Sequence, residues 1–475
     1  MKQFQPLQTA TKLGQKLFSR QQQFSAYPSK ARTTSSLIIG QPGVGKSRFI
    51  ETQFIQDVLR GRSLVLIDIH SDLYMNTRAH IAALSLRYPE IRDRVVVLSP
   101  TEPEYTTSIN PLAPIEGQTP ERIALFMTDI CIKIWKIDPT TSPRLTWLLT
   151  NTFLALVDLG LSMGDFTRWL QDREWRNLHV PQLKNEAVQR YWLHEFPKGD
   201  KEAQVYLAPA VNKLGGVLFD PQIRNVLAGE SRISIRQIMD EGKILLAYIP
   251  TGILGYRSCQ LLAGFLIAQI QIAALGRANT QERRQVYVYM DEYHAYATDY
   301  IHDILAESRK YGLSLVMAQQ YFDQLSETMR SAVINTSGSL IAFRIGYRDA
   351  RTLVYDMFTD PSFGKSFDEK GTWDELALAL ANLPPRTFWI RRRGAYRPKR
   401  MQTLTMPDPI MSPTMERVIE RMLHVSAQKY GIQTKPETTP SLVTPPQKIV
   451  IPQAVPEQVD AYRSLTRYQD VIWDA

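Results

Sequence analysis

The chain has 475 residues, of which 44% are hydrophobic and 22% are charged, and this composition excludes a disordered or fibrous protein for most of the length. The 56 Lys and Arg residues outnumber the 47 Asp and Glu residues, so the net charge is +9. This excess favours a polyanionic partner or a soluble basic enzyme without distinguishing them. The two cysteines, Cys131 and Cys259, support neither a disulfide framework nor a zinc site, and they suit a reducing cytoplasm.

No membrane span is predicted within this sequence. The N-terminus has no apolar core of the signal-peptide type. The longest uncharged run, residues 258–276, approaches the length of a span, but it contains Gln260, Gln269 and Gln271. We therefore expect a helix buried in protein and a cytoplasmic location, with a partner as the means of any recruitment to the inner face of the membrane.

An α/β pattern begins after residue 34. The apolar run SLIIG, from Ser36, leads into the loop QPGVGKS, and the next residues repeat apolar side chains at helical spacing. Further strands are predicted at SLVLIDIHSD and RVVVLSP, and later at KILLAYIP, VYVYMDEY, LSLVMAQQ and SLIAFRIG. Continuous apolar runs of this kind suit parallel strands that helices cover on both faces.

Two stretches depart from the α/β pattern. Between the early and late strands lie long amphipathic segments rich in Trp and Leu, which predict an all-helical insertion. Near the C-terminus a helix over residues 413–430 is expected, with Ser412 as N-cap and Gly431 as stop, before a proline-rich tail. The chain therefore divides into an N-terminal extension, a first core part, the insertion, a second core part and a C-terminal segment: 1–34, 35–117, 118–235, 236–405 and 406–475.

The loop after the first core strand fits G-x-x-x-x-G-K-[ST], the phosphate-binding P-loop. Its glycines allow backbone N–H groups to point inward at the start of a helix, where the helix dipole also favours an anion. Lys46 is expected to reach the β- and γ-phosphates, and Ser47 to ligate Mg²⁺. The predicted nucleotide-binding residues are Gly40, Gln41, Pro42, Gly43, Val44, Gly45, Lys46 and Ser47.

VYVYMDEY supplies two acids where an apolar strand ends. Asp291 is expected to hold Mg²⁺, and Glu292 to polarise the attacking water. A solvated turn could also contain two adjacent acidic residues, but the P-loop upstream favours the catalytic interpretation. An acid at the second position is typical of ATPases that perform mechanical work, and it separates them from nucleotide kinases and switch GTPases.

Two further residues are candidates because of their place along the chain. Gln320 ends the strand LSLVMAQQ, at the edge of a parallel sheet where the phosphates lie, so it could sense the γ-phosphate. Arg309 precedes that strand at a predicted helix end. There it is either a cation that complements the helix dipole or an arginine finger for a neighbouring subunit's nucleotide.

Taken in order, LIIGQPGVGKS, LVLIDIHSD, INPLAP, VYMDEYHAYATD, ESRKYGLSLVMAQQYFDQL and SGSLIAFRIG resemble the HerA–FtsK superfamily of P-loop ATPases. They are most similar to the conjugative coupling proteins of type IV secretion, the TraD/TraG-like group. The resemblance covers residues 33–401 and includes the helical insertion. It implies a RecA-like P-loop NTPase core with a mostly parallel sheet, an all-α insertion domain, ATP and Mg²⁺ as cofactors, and a homo-oligomer, typically a hexamer.

The resemblance also implies roles for single residues. Asp291 and Glu292 correspond to the Walker B pair, Gln320 to the sensor and Arg309 to a finger acting in trans. The cluster Asp68, His70 and Asp72 corresponds to polar residues that support the site from a second layer.

The sequence departs from the family pattern at a few positions. Tyr293 and His294 replace the usual Phe and Gln, and Gln319 stands where His or Asn is frequent. The sequence contains no N-terminal membrane helices of the kind typical of coupling proteins, a feature it shares with soluble HerA-like motors.

The densest basic patch, RTFWIRRRGAYRPKR, contains Arg391, Arg392 and Arg393. The favoured interpretation is a β-hairpin with its charges on a solvated face, although arginines beside aromatic rings can also grip a phosphate backbone. The three arginines are therefore candidate DNA contacts.

Together these features predict an ATP-dependent DNA translocase that serves conjugative or mobile-element transfer and binds DNA largely independently of base sequence. A relaxase with a secretion channel is then the expected partner. One alternative is a HerA-like translocase for DNA-end processing or defence, which would work with a nuclease. A second alternative is an adaptor that recruits protein cargo and uses ATP only as an assembly switch.

Overall fold

A computed structural model describes residues 11–16, 24–27, 29–229, 232–295, 307–358, 370–395 and 397–432. Its central feature is an eleven-stranded sheet in the order β2-β1-β11-β10-β9-β3-β8-β7-β4-β6-β5. The strands are β1 Thr11–Lys16, β2 Phe24–Tyr27, β3 Ser36–Ile39, β4 Ser63–Asp68, β5 Val95–Leu98, β6 Ile244–Tyr248, β7 Val286–Met290, β8 Leu313–Gln319, β9 Ser339–Ala342, β10 Thr387–Arg392 and β11 Lys399–Gln402.

Nineteen α-helices lie in the described part of the chain. They are α1 Ser29–Arg32, α2 Lys46–Leu59, α3 Asp72–Arg87, α4 Pro89–Arg92, α5 Pro120–Ile134, α6 Pro143–Asp158, α7 Phe166–Gln171, α8 Arg173–His179, α9 Glu186–Arg190, α10 Asp200–Ala210, α11 Gly216–Leu218, α12 Pro221–Ala228, α13 Ile235–Asp240, α14 Thr251–Leu254, α15 Tyr256–Leu275, α16 Glu327–Thr336, α17 Tyr347–Phe358, α18 Lys370–Ala381 and α19 Pro413–Tyr430.

The seven strands from β3 to β9 are parallel, and all the strands predicted from apolar runs are among them. They are buried along their whole length because helices cover both faces, which explains why each run is apolar without alternation. The register places Ile39 beside Gln319, and Ile67 beside Met290. As a result the carboxyl ends of β3, β4, β7 and β8 meet at one edge, and the predicted α/β class with a mostly parallel sheet is confirmed.

The N-terminal segment adds two strands that the sequence did not indicate. The sequence predicts only an extension over residues 1–34, but β1 pairs with both β2 and β11 in antiparallel fashion. The backbone N–H of Lys12 donates to Gln56 of α2 at 2.8 Å, and Gln53 donates back to the Lys12 carbonyl at 2.9 Å. Two polar side chains of α2 therefore anchor β1, which explains why hydropathy did not reveal it.

Two hydrophobic clusters fill the two faces of the sheet. One face packs against α2, α3 and the C-terminal helix α19. The other face packs against α15, and the same cluster continues through α5 and α6 into the helices between β5 and β6. The helical region predicted from the Trp- and Leu-rich segments thus shares a continuous core with the sheet.

Helix α15, Tyr256–Leu275, is long and apolar enough to cross a membrane, but 83% of its apolar window is buried inside the protein. Its Gln269 side chain donates to the Pro111 carbonyl, and Gln260 donates to the hydroxyl of Tyr256 at 3.0 Å. The Gln269 contact fits the predicted buried helix, whereas the Gln260 bond lies at the exposed start of the helix and the buried Gln271 Oε1 has no hydrogen-bond partner among the described residues.

The C-terminal part follows the sequence prediction closely. The arginine-rich segment forms the antiparallel hairpin β10–β11, with Phe388 paired to Met401. Helix α19 spans Pro413–Tyr430, and its N-cap Ser412 accepts from the Met415 N–H at 3.2 Å. The proline-rich tail beyond residue 432 lies outside the described residues.

Candidate functional site

The P-loop connects β3 to α2 and is fixed by three neighbouring segments. The N–H of Gly40 donates to the Gln319 carbonyl at 3.2 Å, and the N–H of Gln41 donates to the Arg344 carbonyl at 2.8 Å. On the far side of the loop, the Val44 carbonyl accepts from the N–H of Arg386 at 2.8 Å. The loop shape therefore depends on residues from three other parts of the chain.

Gly43 and Gly45 adopt φ values of 72° and 106°, in the left-handed region that glycine enters without strain. This conformation turns successive backbone N–H groups toward the start of α2, where an anion is favoured. The Lys46 ammonium lies over the loop and donates to the Gly40 and Gln41 carbonyls at 2.5 Å and 3.1 Å. Burial lowers the pKa of Lys46, although Glu292 and Asp291 oppose that shift.

Asp291 follows β7 and comes next to the P-loop serine, because only β8 separates β7 from β3. Ser47 Oγ is 3.4 Å from Asp291 Oδ2, so a hydroxyl and a carboxylate converge at the start of α2. Hard oxygen donors in this arrangement are those that Mg²⁺ prefers. The predicted pair of magnesium ligands is thus brought together.

Glu292 lies beside this pair in a strained backbone conformation, with φ at 49°. The Gln320 amide donates to Glu292 Oε1 at 2.7 Å. The other oxygen, Oε2, is buried and accepts no well-aligned hydrogen bond from the described residues, although His294 Nδ1 is 3.3 Å away. One carboxylate oxygen is thus held by Gln320, while the other lies beside His294.

The two acids have pKa values that move in opposite directions. Burial raises the pKa of Asp291 to about 6, and the nearby Glu292 and Asp68 charges add to the rise. Burial opposes ionisation of Glu292 as well, but His294, Gln320 and Lys46 outweigh it and lower its pKa. At neutral pH Glu292 is therefore ionised and able to accept a proton. The charge of Asp291 is destabilised by burial, and a bound cation would stabilise it.

The cluster predicted after β4 is only partly at the site. The Asp68 carboxylate accepts from the N–H groups of His70 and Tyr74, at 2.9 Å and 2.7 Å, and so organises the start of α3. Its charge also raises the pKa of Asp291. The His70 and Asp72 side chains are exposed, and their supporting role remains a prediction.

The predicted arginines lie at the opposite edge of the sheet. Arg309 is exposed in the 3₁₀ turn Ser308–Tyr311, directly before β8, whereas the P-loop lies at the carboxyl ends of the strands. Most of the helix predicted before Arg309 falls outside the described residues. Arg392 pairs with Ser339, the first residue of β9, so Arg391, Arg392 and Arg393 share that distant edge.

Sequence reasoning missed two contributors to the site. His294 was seen only as a departure from the family pattern, but it lies beside Glu292 and contacts Gln324 through Nε2 at 3.1 Å. Arg386 was not singled out, although its backbone bonds to the P-loop. The available signal for His294 was that it is a titratable side chain two residues after the Walker B glutamate. No signal in the sequence indicated Arg386.

We predict that Asp291→Asn stabilises the ligand-free protein while abolishing its response to nucleotide and Mg²⁺. The raised pKa means that the carboxylate destabilises the fold fully above pH 6, and this penalty shrinks as the pH falls from 6 towards the ordinary aspartate pKa of 3.8. At pH 7.5 the melting temperature should therefore rise by about 2 °C, with a smaller gain at pH 5. Thermal scans with and without Mg²⁺ and ATP measure both effects, and the exposed Glu104→Gln is the control.

Comparisons with known proteins identify the fold. No family model matches the chain, and no curated protein matches it by sequence. Among solved structures, the unbound bacterial conjugative coupling protein TrwB matches with a TM-score of 0.58 and 15% identity over 82% of this chain and 89% of that one. TrwB in complex with the GTP analogue GDPNP gives 0.59 and 19% over the same shares.

A second protein gives a comparable match. VirB4 of Thermoanaerobacter pseudethanolicus matches with a TM-score of 0.56 and 13% identity, and the match covers 84% of this chain and 97% of VirB4. Each of these matches covers more than four fifths of this chain. The chain thus has the fold of the coupling protein TrwB and of VirB4, and the predicted similarity to coupling proteins is confirmed for the fold.

Proposed function

We propose that this protein is an ATP-hydrolysing motor that moves DNA as a ring of identical subunits, hexameric in its working form, in conjugative or mobile-element transfer. The observation that carries the proposal is the buried constellation of Lys46, Asp291 and Glu292, with Gln320 bonded to Glu292. It stands in a chain whose fold is that of TrwB, a plasmid coupling protein solved with ADP and Mg²⁺ and with nucleotide analogues.

ATP and Mg²⁺ fit the side chains that are present. The Asp291 carboxylate, whose charge is destabilised by burial, and the adjacent Ser47 hydroxyl form a set of oxygen ligands suited to Mg²⁺. The P-loop amides and Lys46 suit a triphosphate. When bound, MgATP supplies the electrophilic phosphorus, and the metal neutralises charge on the phosphate oxygens.

The protein's own groups then have separate tasks. Lys46 and the loop N–H groups hold the phosphates, and Asp291 with Ser47 holds the cation. Glu292 orients a water molecule through Oε2, the oxygen that Gln320 does not hold, and accepts a proton from it, while Gln320 fixes the direction of that carboxylate. Because Gln320 directly follows β8, a change at the phosphates can displace the strand that Arg309 precedes.

The central test is ATP hydrolysis by the purified protein with and without DNA. We expect DNA to stimulate hydrolysis, Lys46→Ala to lose nucleotide binding, and Glu292→Gln to keep binding but lose about 10²- to 10⁴-fold in kcat. The exposed Glu104→Gln should behave as wild type. DNA-independent hydrolysis, or hydrolysis unaffected by Glu292→Gln, would contradict the motor proposal.

Arg309 is proposed to complete the site of a neighbouring subunit. It is exposed at the edge opposite to its own P-loop, so a role in hydrolysis requires a second copy. Arg309→Ala should therefore lower kcat by about 10³-fold or more with nucleotide binding intact. In mixtures, Arg309→Ala and Glu292→Gln subunits, each inactive alone, should regain part of the activity, since some interfaces combine an intact glutamate with an intact arginine. Lack of recovery in rings shown to be mixed would exclude action in trans.

Arg391, Arg392 and Arg393 are proposed as DNA contacts at the end of the β10–β11 hairpin. Arg393 also donates to the Asn335 carbonyl at 3.1 Å, and Arg391 opposes the burial-raised pKa of Asp356, so both have structural contacts as well. Changing all three to Ala should weaken DNA binding at least tenfold and reduce the slope of log K against log salt by about 2–3. Removing three exposed arginines of the insertion, Arg122, Arg144 and Arg224, is the charge-matched control. An equal loss in the control would show a general charge effect only.

A further inference from the structure

Arg386 has an unusual backbone conformation beside the P-loop. Its φ is 63°, and it is one of four non-glycine residues with positive φ in the described part of the chain, together with Ser71, Lys136 and Glu292. Side chains other than glycine, Asn and Asp seldom occupy this region, and such strain persists where the surrounding structure requires it. Glu292 belongs to the candidate nucleotide site. The contacts of Arg386 show what holds that residue in the same kind of conformation.

The backbone of Arg386 holds one peptide of the P-loop in place. Its N–H donates to the Val44 carbonyl at 2.8 Å. In a trans peptide the C=O and the following N–H point in opposite directions, so fixing the Val44 carbonyl outward directs the Gly45 N–H inward. The Cα of Arg386 lies 3.5 Å from the point that a Cβ on Gly45 would occupy, so the two backbones are in close contact.

The side chain of Arg386 binds the segment that follows β11. Its Nη2 donates to Thr405 Oγ1 at 2.7 Å, and the Arg386 carbonyl accepts from the Thr403 N–H at 2.8 Å. A few residues later, Asp408 forms an ion pair with Arg48, the residue after the P-loop serine. The segment 403–408 is therefore attached to Arg386 near its start and to the first turn of α2 at its end.

We propose that Arg386 is a positioning residue of the nucleotide site. Its left-handed backbone sets the orientation of the Val44–Gly45 peptide, and its guanidinium joins that peptide to the segment 403–408. The proposal rests on nucleotide binding by the P-loop and deepens the proposed function by adding a support that lies about 340 residues away in sequence.

The test changes the backbone preference at residue 386 and measures nucleotide affinity. Arg386→Gly permits the left-handed conformation, whereas a β-branched side chain at positive φ is strongly disfavoured. We expect Arg386→Val to weaken binding of a fluorescent ATP analogue with Mg²⁺ at least tenfold and to raise KM more than it lowers kcat. Arg386→Gly should stay within threefold of wild type, and Arg386→Ala should fall between them.

Lys136 provides a matched control because it is an exposed basic residue with φ of 51° in the helical insertion. Lys136→Val should lower the melting temperature to a similar extent as Arg386→Val, with nucleotide affinity unchanged. Equal losses of nucleotide affinity in both valine variants would show that Arg386→Val acts only through the general stability of the protein, and would overturn the proposal.

The guanidinium is tested by a double-mutant cycle with Thr405. Thr405→Val should weaken nucleotide binding about two- to threefold in the wild-type background, as much as Arg386→Gly does, and have no further effect in Arg386→Gly, because the contact is already absent there. Additive effects would contradict the link to the segment 403–408. If Lys46→Ala loses the analogue while Arg386→Val keeps full affinity, the Arg386 proposal alone fails. If Lys46→Ala binds the analogue as tightly as wild type, the assignment of the nucleotide site to the P-loop is wrong, and the Arg386 proposal is wrong with it.

Discussion

The P-loop is held in shape by backbone hydrogen bonds from three other segments, and the candidate chemistry of the protein depends on them. The Gln319 and Arg344 carbonyls accept from the beginning of the loop, and the Arg386 N–H donates to its end. A glycine-rich loop is mobile when isolated, since its residues have the largest backbone freedom. These bonds offset that freedom before any ligand arrives, so an anion meets N–H groups already oriented.

The same parallel pairing places the acids. Because β7 and β8 end beside β3, the residues that follow them meet at the mouth of the P-loop without any sequence proximity. Burial makes ionisation costly there, yet the local partners separate the two carboxyl groups in their pKa values. Asp291 is left in need of a cation, and Glu292 is kept ionised by His294, Gln320 and Lys46. Such a separation is the usual way in which two neighbouring acids acquire different tasks.

The two edges of the sheet have opposite chemical character. The nucleotide site, with Asp68, Asp291 and Glu292, lies at the carboxyl ends of the strands, and Arg309 with the hairpin arginines lies at the amino ends. Within one chain, Arg309 therefore lies away from the P-loop. Head-to-tail contact between copies would join the two edges, and a heterologous interface of this kind closes into a ring when the rotation permits.

Much of the fold was predictable because its signals are local. Apolar runs indicated each parallel strand, the P-loop spacing located Lys46 and Ser47, and Ser412 with Gly431 gave the limits of α19. Each of these signals is contained within a few residues, as a period, a cap or a turn. The sequence by itself thus determined the α/β class, the loop, the acid pair and the region of helical insertion.

Only the tertiary structure decided which distant residues meet. Strands β1 and β2 are short, β1 is mostly polar, and β1 is recognisable through its pairing with β2 and with β11, which lies almost 390 residues later. The sequence likewise does not reveal that Arg386 supports the P-loop or that Arg391 lies at the amino ends of the parallel strands. The direction of each strand in the sheet is set by long-range pairing. Local patterns specify which element forms, whereas contact between strand ends depends on the order and register of the whole sheet.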